Sequence, residues 1–384
     1  MRFGIVGCGG MGRVHATTIA SLAGRAEVTA TVSSRFASAR ELAREYGATA
    51  FPSLEAVLAA DVVDAVVVCT PSGRHADAAV AALCAGKHVM IEKPLEASSV
   101  AAARVRAAAR HSGATATVVS QHRFDPASVA VKRAIDTGRL GRITSGLASV
   151  ALWRPQEYYD SAVWRRSGVA DGGGVLMNQA IHQIDLVVWL MGRPATVSAD
   201  TATLAHEAID VEDAAAATIR FDNGALATVH ATTAAYPGTS TRVHVHGTRG
   251  SAIIERDRLA YLHAAPEAHA LPGEGPLARN QAAEVLPDGG DPGSNIVALA
   301  RQYVDFLDAI DTGRPPVVTL AEAGRTLAVV EAFYDSARTG RPVHVGDSGG
   351  MMIRLAEQNP QGAGPSTASA AGAEPGSASS GCAQ

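Results

Sequence analysis

Phe3-Gly4-Ile5-Val6-Gly7-Cys8-Gly9-Gly10-Met11-Gly12 opens the chain, and its reading decides the fold. A short apolar strand runs into glycines spaced G-x-G-x-x-G, and a helical stretch from Gly12 to Ala23 follows. In that strand-turn-helix setting Gly7 allows the tight turn, Gly9 lets backbone approach a pyrophosphate, and Gly12 packs the helix closely on the strand. Gly10 and Met11 sit where the first helical amides present donors and positive potential to an anion. The spacing in this context points to a bound dinucleotide.

The end of the second strand, Val28 to Val32, discriminates between dinucleotides. A carboxylate there accepts from the ribose 2′-hydroxyl of NAD, whereas a cation and hydroxyls suit a 2′-phosphate. The residues are Ser33-Ser34-Arg35, with no carboxylate and an arginine able to fork onto phosphate, so NADP(H) is favoured over NAD(H).

Working outward, helix Ala37–Tyr46, strand Val62–Cys69, helix His75–Ala85 and strand His88–Glu92 continue a β-α rhythm. Continuous apolar strands between helices predict a parallel sheet covered on both faces. After Val118-Val119-Ser120 strands follow one another: Ile143–Leu152, Thr196–Ala202, Ala214–Phe221, Ala225–Thr232 and Arg242–His246, with Asp222-Asn223-Gly224 as a hairpin turn. The expected architecture is α/β: an N-terminal Rossmann domain over residues 1–122, then an α+β domain over 123–357 with a large open, mainly antiparallel sheet. Helices are expected at Asn295–Thr312 and Leu320–Thr339, and residues 358–384, nearly all Gly, Ala, Ser, Pro and Gln, read as a disordered tail.

Glu92-Lys93-Pro94 follows a strand, which puts Lys93 at the carboxyl edge of the parallel sheet where such folds bind ligands, and Pro94 raises the option of a cis peptide. Gly172-Gly173-Gly174 leads into Val175–Leu190, where a continuous α-helix would align Asn178, His182 and Asp185 at spacings of four and three. In that arrangement Asp185 orients the His182 imidazole, Asn178 holds a substrate hydroxyl, and the glycines let backbone approach a ligand. An imidazole titrating near neutrality suits removal of a hydroxyl proton. Trp153-Arg154, Tyr158-Tyr159 and Trp164-Arg165 can stack on a sugar ring and bond its hydroxyls or a carboxylate, although core packing accounts for them equally. His244 and His246 share a strand face, but no third residue has metal-ligand spacing, so no metal is expected.

A chain of 384 residues exceeds what one core usually organises, and a formal net charge of -4 gives no electrostatic footprint for nucleic acid. No apolar run reaches membrane-spanning length and no secretory leader precedes the glycines, so no membrane association and a cytoplasmic location are expected. Cys8, Cys69, Cys84 and Cys382 lie too far apart to suggest zinc or a disulfide framework.

The loop Gly7–Gly12, Thr70-Pro71 with His75, Ala85-Gly86-Lys87-His88 leading into Glu92-Lys93-Pro94, and the Gly172–Asp185 block together resemble the glucose–fructose oxidoreductase, inositol dehydrogenase and rhizopine catabolism family, Gfo/Idh/MocA, over nearly the whole chain. The resemblance implies hydride exchange between nicotinamide and a secondary ring carbon of a sugar, glycoside, nucleotide-sugar or inositol. It implies Lys93 on the reacting hydroxyl and His182 as proton acceptor or donor. Thr70, Pro71, His75, Glu92 and Gln121 would lie along the cofactor, and Arg123, Trp153, Arg154, Tyr159, Trp164, Arg165, Asn178 and Asp185 would face substrate. Many polyol dehydrogenases of that family carry aspartate where this chain has Asn178, which puts more of the proton handling on His182. A homodimer or homotetramer through the open sheet is a further implication. Reduction of a ketosugar, or a regulator that binds dinucleotide without turnover, are the alternatives.

Overall fold

The structure, a computed structural model, describes residues 1–168, 172–265 and 279–346, with nothing said of the Val163 and Trp164 side chains. The tail expected at 358–384 and the Trp164 substrate contact therefore lie outside the described residues.

The first lobe alternates β1 (Arg2–Val6), α1 (Gly10–Ser21), β2 (Glu27–Val32), α2 (Phe36–Tyr46), β3 (Thr49–Phe51), α3 (Leu54–Ala60), β4 (Ala65–Val68), α4 (His75–Cys84), β5 (His88–Ile91), α5 (Ser99–Ser112) and β6 (Ala116–Val118). The six strands pair in the order β3-β2-β1-β4-β5-β6, all parallel, so the order reverses beside β1. That reversal is the crevice where doubly wound sheets bind ligands. Phe3, Ile5, Val66, Val67, Met90 and Ile91 are fully buried, which is why these strands read as continuous apolar runs.

The second lobe comprises α6 (Pro126–Asp136), β7 (Ile143–Ala151), α7 (Gln156–Asp160), α8 (Ile181–Met191), β8 (Pro194–Ala202), β9 (Ala214–Phe221), β10 (Leu226–Thr232), β11 (Thr241–Gly247), β12 (Gly250–Glu255), β13 (Arg258–Ala264), α9 (Ala282–Val285), α10 (Asn295–Thr312), α11 (Leu320–Thr339) and β14 (Val343–His344). Its eight strands run β13-β12-β11-β7-β10-β9-β8-β14, antiparallel except for β7 beside β10. Alternate residues of β9 and β10 are buried and exposed, as one covered and one open face require. α8 and α11 lie on the covered face.

The chain does not divide cleanly at residue 122. α10 returns to the first lobe and buries Leu299, Tyr303, Phe306 and Leu307 with Phe3, Ile5 and Ile19. A helix read only by its own period carries no sign of which lobe its apolar face covers, so the contiguous division missed this return. Cys8 and Cys69 are free thiols. Among the described residues no helix is long and apolar enough to cross a membrane.

Candidate active site

Between β1 and α1, Gly7 adopts φ +105°, and a Cβ there would stand 2.3 Å from the Cys69 carbonyl oxygen. A Cβ on Gly12 would stand 2.1 Å from the Gly7 carbonyl oxygen, so the turn closes only with glycine at both places. Around Gly9 and Gly10, by contrast, nothing lies within 4 Å of a built Cβ. The helix opens without a side-chain cap, which leaves its first amides for an anion in that open space. Farther along the crevice Thr70 Oγ1 and Gln121 Oε1 are buried with no hydrogen-bond partner, as groups awaiting a ligand would be. These features fit a bound dinucleotide. Ser34 and Arg35 are exposed past the end of β2, Ser33 is half-buried, and among the described residues Arg35 forms no ion pair.

His75 does not line the crevice. It is 1% exposed, with Nδ1 2.8 Å from the Pro94 carbonyl and Nε2 2.9 Å from that of Thr70, so it ties the two ligand-bearing loops together from below. Burial lowers its pKa despite these carbonyls. Glu92 is likewise buried, 2.9 Å from His15 Nε2, and accepts the Lys93 amide at 2.9 Å. Burial pushes its carboxyl up, but the hydrogen bond and charge of His15, with Lys93, prevail and hold it below its ordinary range. Glu92 thus anchors the backbone of Lys93. The Lys93-Pro94 peptide is cis.

The helix bearing His182 is not continuous. Leu176–Ala180 forms a π-helical turn before α8 begins, so the expected alignment of Asn178 with His182 and Asp185 does not hold. Lys93 Nζ donates to the Asn178 carbonyl in this widened turn at 3.0 Å, and the Asn178 amide donates to the Gly173 carbonyl at 3.2 Å. Lys93 and His182 border a cavity of about 20 Å³, which has room for one water-sized group. The His182 pKa lies well below its ordinary value, because burial disfavours the charged ring and the positive charges of His122 and Lys93 add to the effect. It is therefore a neutral imidazole, able to accept a proton at physiological pH.

Three expected site residues are engaged by partners within the protein. Asp185 does not orient His182: its oxygens accept from Arg123 Nε and Nη2, both at 2.7 Å, and from Thr326 Oγ1 at 2.9 Å. Arg123 is 1% exposed and also reaches Glu322 at 3.2 Å, so its guanidinium is engaged by two carboxylates within the protein. Tyr159, 2% exposed, is hydrogen-bonded to Thr233 at 2.8 Å. The glycine triplet approaches protein rather than ligand. A Cβ on Gly173 would stand 2.0 Å from the Tyr334 hydroxyl and one on Gly174 1.9 Å from the Glu212 carbonyl oxygen. The Glu212 carboxyl accepts the Gly174 and Leu176 amides and the Tyr334 hydroxyl, each at 2.9 Å, and so pins the turn that carries Asn178.

The neighbouring Tyr158, read with Tyr159 as able to stack on a sugar ring, is held by two arginines. The guanidinium groups of Arg154 and Arg165 lie over its ring, 5.1 and 4.5 Å from its centroid, and its hydroxyl accepts from Gln179 at 3.0 Å. Trp153 packs edge-on to Tyr236 at 5.4 Å. His122 was missed: its ring stands perpendicular to that of His182, centroids 5.1 Å apart. His122, Asp125 and Asp257 converge as a hydrogen-bonded charge cluster. His244 and His246 meet edge to face at 6.0 Å, and no third ligand joins them among the described residues.

A dinucleotide cradle that opens onto an ammonium and an uncharged imidazole defines a nicotinamide-dependent oxidoreductase. Residues 1–120 match the family description "Oxidoreductase family, NAD-binding Rossmann fold", and residues 128–253 match "GFO/IDH/MocA C-terminal domain". The chain belongs to the Gfo/Idh/MocA family of oxidoreductases. It is 31% identical to an inositol 2-dehydrogenase of Rhizobium meliloti (strain 1021) over 67% of this chain and 76% of that one. It is 29% identical to a D-xylose 1-dehydrogenase (NADP(+)) of Haloferax volcanii over 90% of this chain and 100% of that one. The crystal structure of the WlbA dehydrogenase from Bordetella pertussis, a complex with NADH and UDP-GlcNAcA, superposes with a TM-score of 0.81 at 32% identity, covering 90% and 97% of the two chains. The protein is thus an NAD(P)-dependent enzyme with the expected two-lobed fold.

Proposed function

We propose that the enzyme interconverts a secondary alcohol and a ketone on the ring of a sugar-like substrate, with His182 as the proton-transferring base and Lys93 as the group that holds the reacting oxygen. The observation that carries this reading is the pairing of Lys93 with a neutral His182 around one small cavity at the carboxyl edge of the parallel sheet. Bound nicotinamide supplies the two-electron redox partner. Lys93, fixed through the Asn178 carbonyl and the Glu92 carboxylate, offers a charged donor that stabilises negative charge on the oxygen. His182 takes the hydroxyl proton in oxidation and returns it in reduction.

A substrate bearing negative charge, such as a nucleotide-linked hexose, is favoured over a neutral inositol. Arg154 Nε is buried without a hydrogen-bond partner, and among the described residues no carboxylate pairs with that guanidinium. The solved relative that binds UDP-GlcNAcA supports this choice. Arg35, without an acid beside it, supports NADP(H). The open face of the large sheet supports pairing of subunits through it. Steady-state turnover of UDP-linked hexuronic acid, myo-inositol and xylose by the wild type and Arg154→Ala tests the substrate reading. Preference for the anionic substrate, with KM raised at least about tenfold in the variant, is expected. Equal use of inositol by both enzymes contradicts it.

A further inference from the structure

His122 follows β6 and belongs to no part of the reaction described so far. Its Nδ1 lies 2.9 Å from Asp125 Oδ2 and 3.3 Å from Asp257 Oδ1. Asp125 is fully buried, and Asp257 is brought in by the β12–β13 turn, where Arg256 and Asp257 adopt φ of +50° and +62°. Two carboxylates from separate elements thus converge on one imidazole nitrogen, and the same ring stands against His182.

We propose that His122 is a positioning residue for the reaction: held as a cation by Asp125 and Asp257, it denies a positive charge to the adjoining His182 and fixes that base in its neutral form. The groups facing His182 are Lys93 from the loop after β5, His122 from the turn after β6, and Asp185 on its own helix, which is neutralised by Arg123. Those facing His122 are Asp125, Asp257 and the more distant Asp185, while Arg301 on α10 stands 3.5 Å from Asp125. Burial disfavours the His122 cation, yet the hydrogen bond and charge of Asp125 and the charge of Asp257 outweigh it and raise the His122 pKa. The pKa values of the two rings are therefore driven apart, that of His122 upward and that of His182 downward, as adjacent titrating groups with opposite tasks require.

The proposal rests on His182 being the reaction's base, so its test is read first without substrate. Full-length protein carrying 13Cε1-labelled histidine is titrated by NMR, with the two resonances identified by their loss in His122→Gln and His182→Asn. In the wild type His122 is expected to titrate above an ordinary imidazole and His182 below it; the reverse order overturns the proposal. A unit charge about 5 Å away at an effective dielectric of about 20 moves a pKa by up to roughly two units. The His182 midpoint is thus expected to rise by about one to two pH units in His122→Gln, and an unmoved midpoint overturns the proposal. Should that variant fail to fold, Asp257→Asn decides, because the His122 midpoint must fall; constancy there removes the anchor. In turnover, the acidic limb of His122→Gln should move to higher pH, whereas a merely structural role would lower turnover equally at every pH. Titrations as expected in a protein that turns over nothing would reject the functional reading and leave the electrostatic one standing.

Discussion

Replacing Asp185 by asparagine separates two roles for that residue, orienting His182 or neutralising Arg123. The geometry favours the second, because a guanidinium 1% exposed makes two 2.7 Å contacts with one carboxylate. Asparagine leaves the guanidinium with Glu322 at 3.2 Å, a partner whose side chain is 28% exposed. Breaking one half of a buried pair costs about 3–5 kcal/mol, since the surviving charge stays desolvated. With an unfolding entropy of about 0.7 kcal/mol/K for a unit of this size, the melting temperature should fall by roughly 4–7 °C, read by calorimetry. Arg123→Met combined with Asp185→Leu should recover most of that loss, because neither charge is then buried alone. A melting temperature unchanged in Asp185→Asn, together with a displaced acidic limb of turnover, would refute this reasoning and return Asp185 to the imidazole.

Lys93→Ala and His182→Ala should each lower turnover by roughly 10²–10⁴-fold while nicotinamide fluorescence still reports cofactor binding. Because the His182 pKa is depressed and oxidation needs the neutral ring, the acidic limb of kcat/KM for oxidation should lie below the ordinary imidazole value of about 6.5, as a pH–rate profile will show. Gly12→Ala places a methyl 2.1 Å from the Gly7 carbonyl and should weaken dinucleotide binding at least about tenfold by isothermal titration, since the turn must open to admit it. Arg35→Ala should reduce NADPH affinity selectively, by about tenfold or more for loss of a charge-assisted phosphate contact; equal effects on NADH and NADPH would contradict NADP(H) preference.

The fold was legible because its strands carry two distinct patterns. Ala65–Val68 is apolar throughout, as a strand covered on both faces must be, while Ala214–Phe221 alternates, as a half-covered one must. Strands β12 and β13 were not read: Gly250–Glu255 and Arg258–Ala264 are short, and their turn uses Arg256-Asp257 at positive φ instead of glycine. Asp257 consequently gave no sequence signal, and His122 gave none without it. Lys93 and His182 were legible because each sits in a motif that fixes its place relative to the sheet. Asp185 was misassigned for a physical reason. The π turn at Leu176–Ala180 shifts only Asn178, while His182 and Asp185 keep their spacing within the regular α8, so spacing alone could not show which partner Asp185 takes. A buried arginine from 62 residues away then claims the carboxylate that helical spacing had given to His182.

The most direct test of the central claim is turnover followed by nicotinamide absorbance, with NAD⁺ and NADP⁺ separately, across inositols, free hexoses and pentoses, and nucleotide-linked hexoses. Wild type, Lys93→Ala and His182→Ala are compared at matched cofactor occupancy. The account predicts cofactor reduction by the wild type with at least one of these ring alcohols and its near-complete loss in both variants. Cofactor binding without turnover of any of them, or turnover that survives both substitutions, would contradict it.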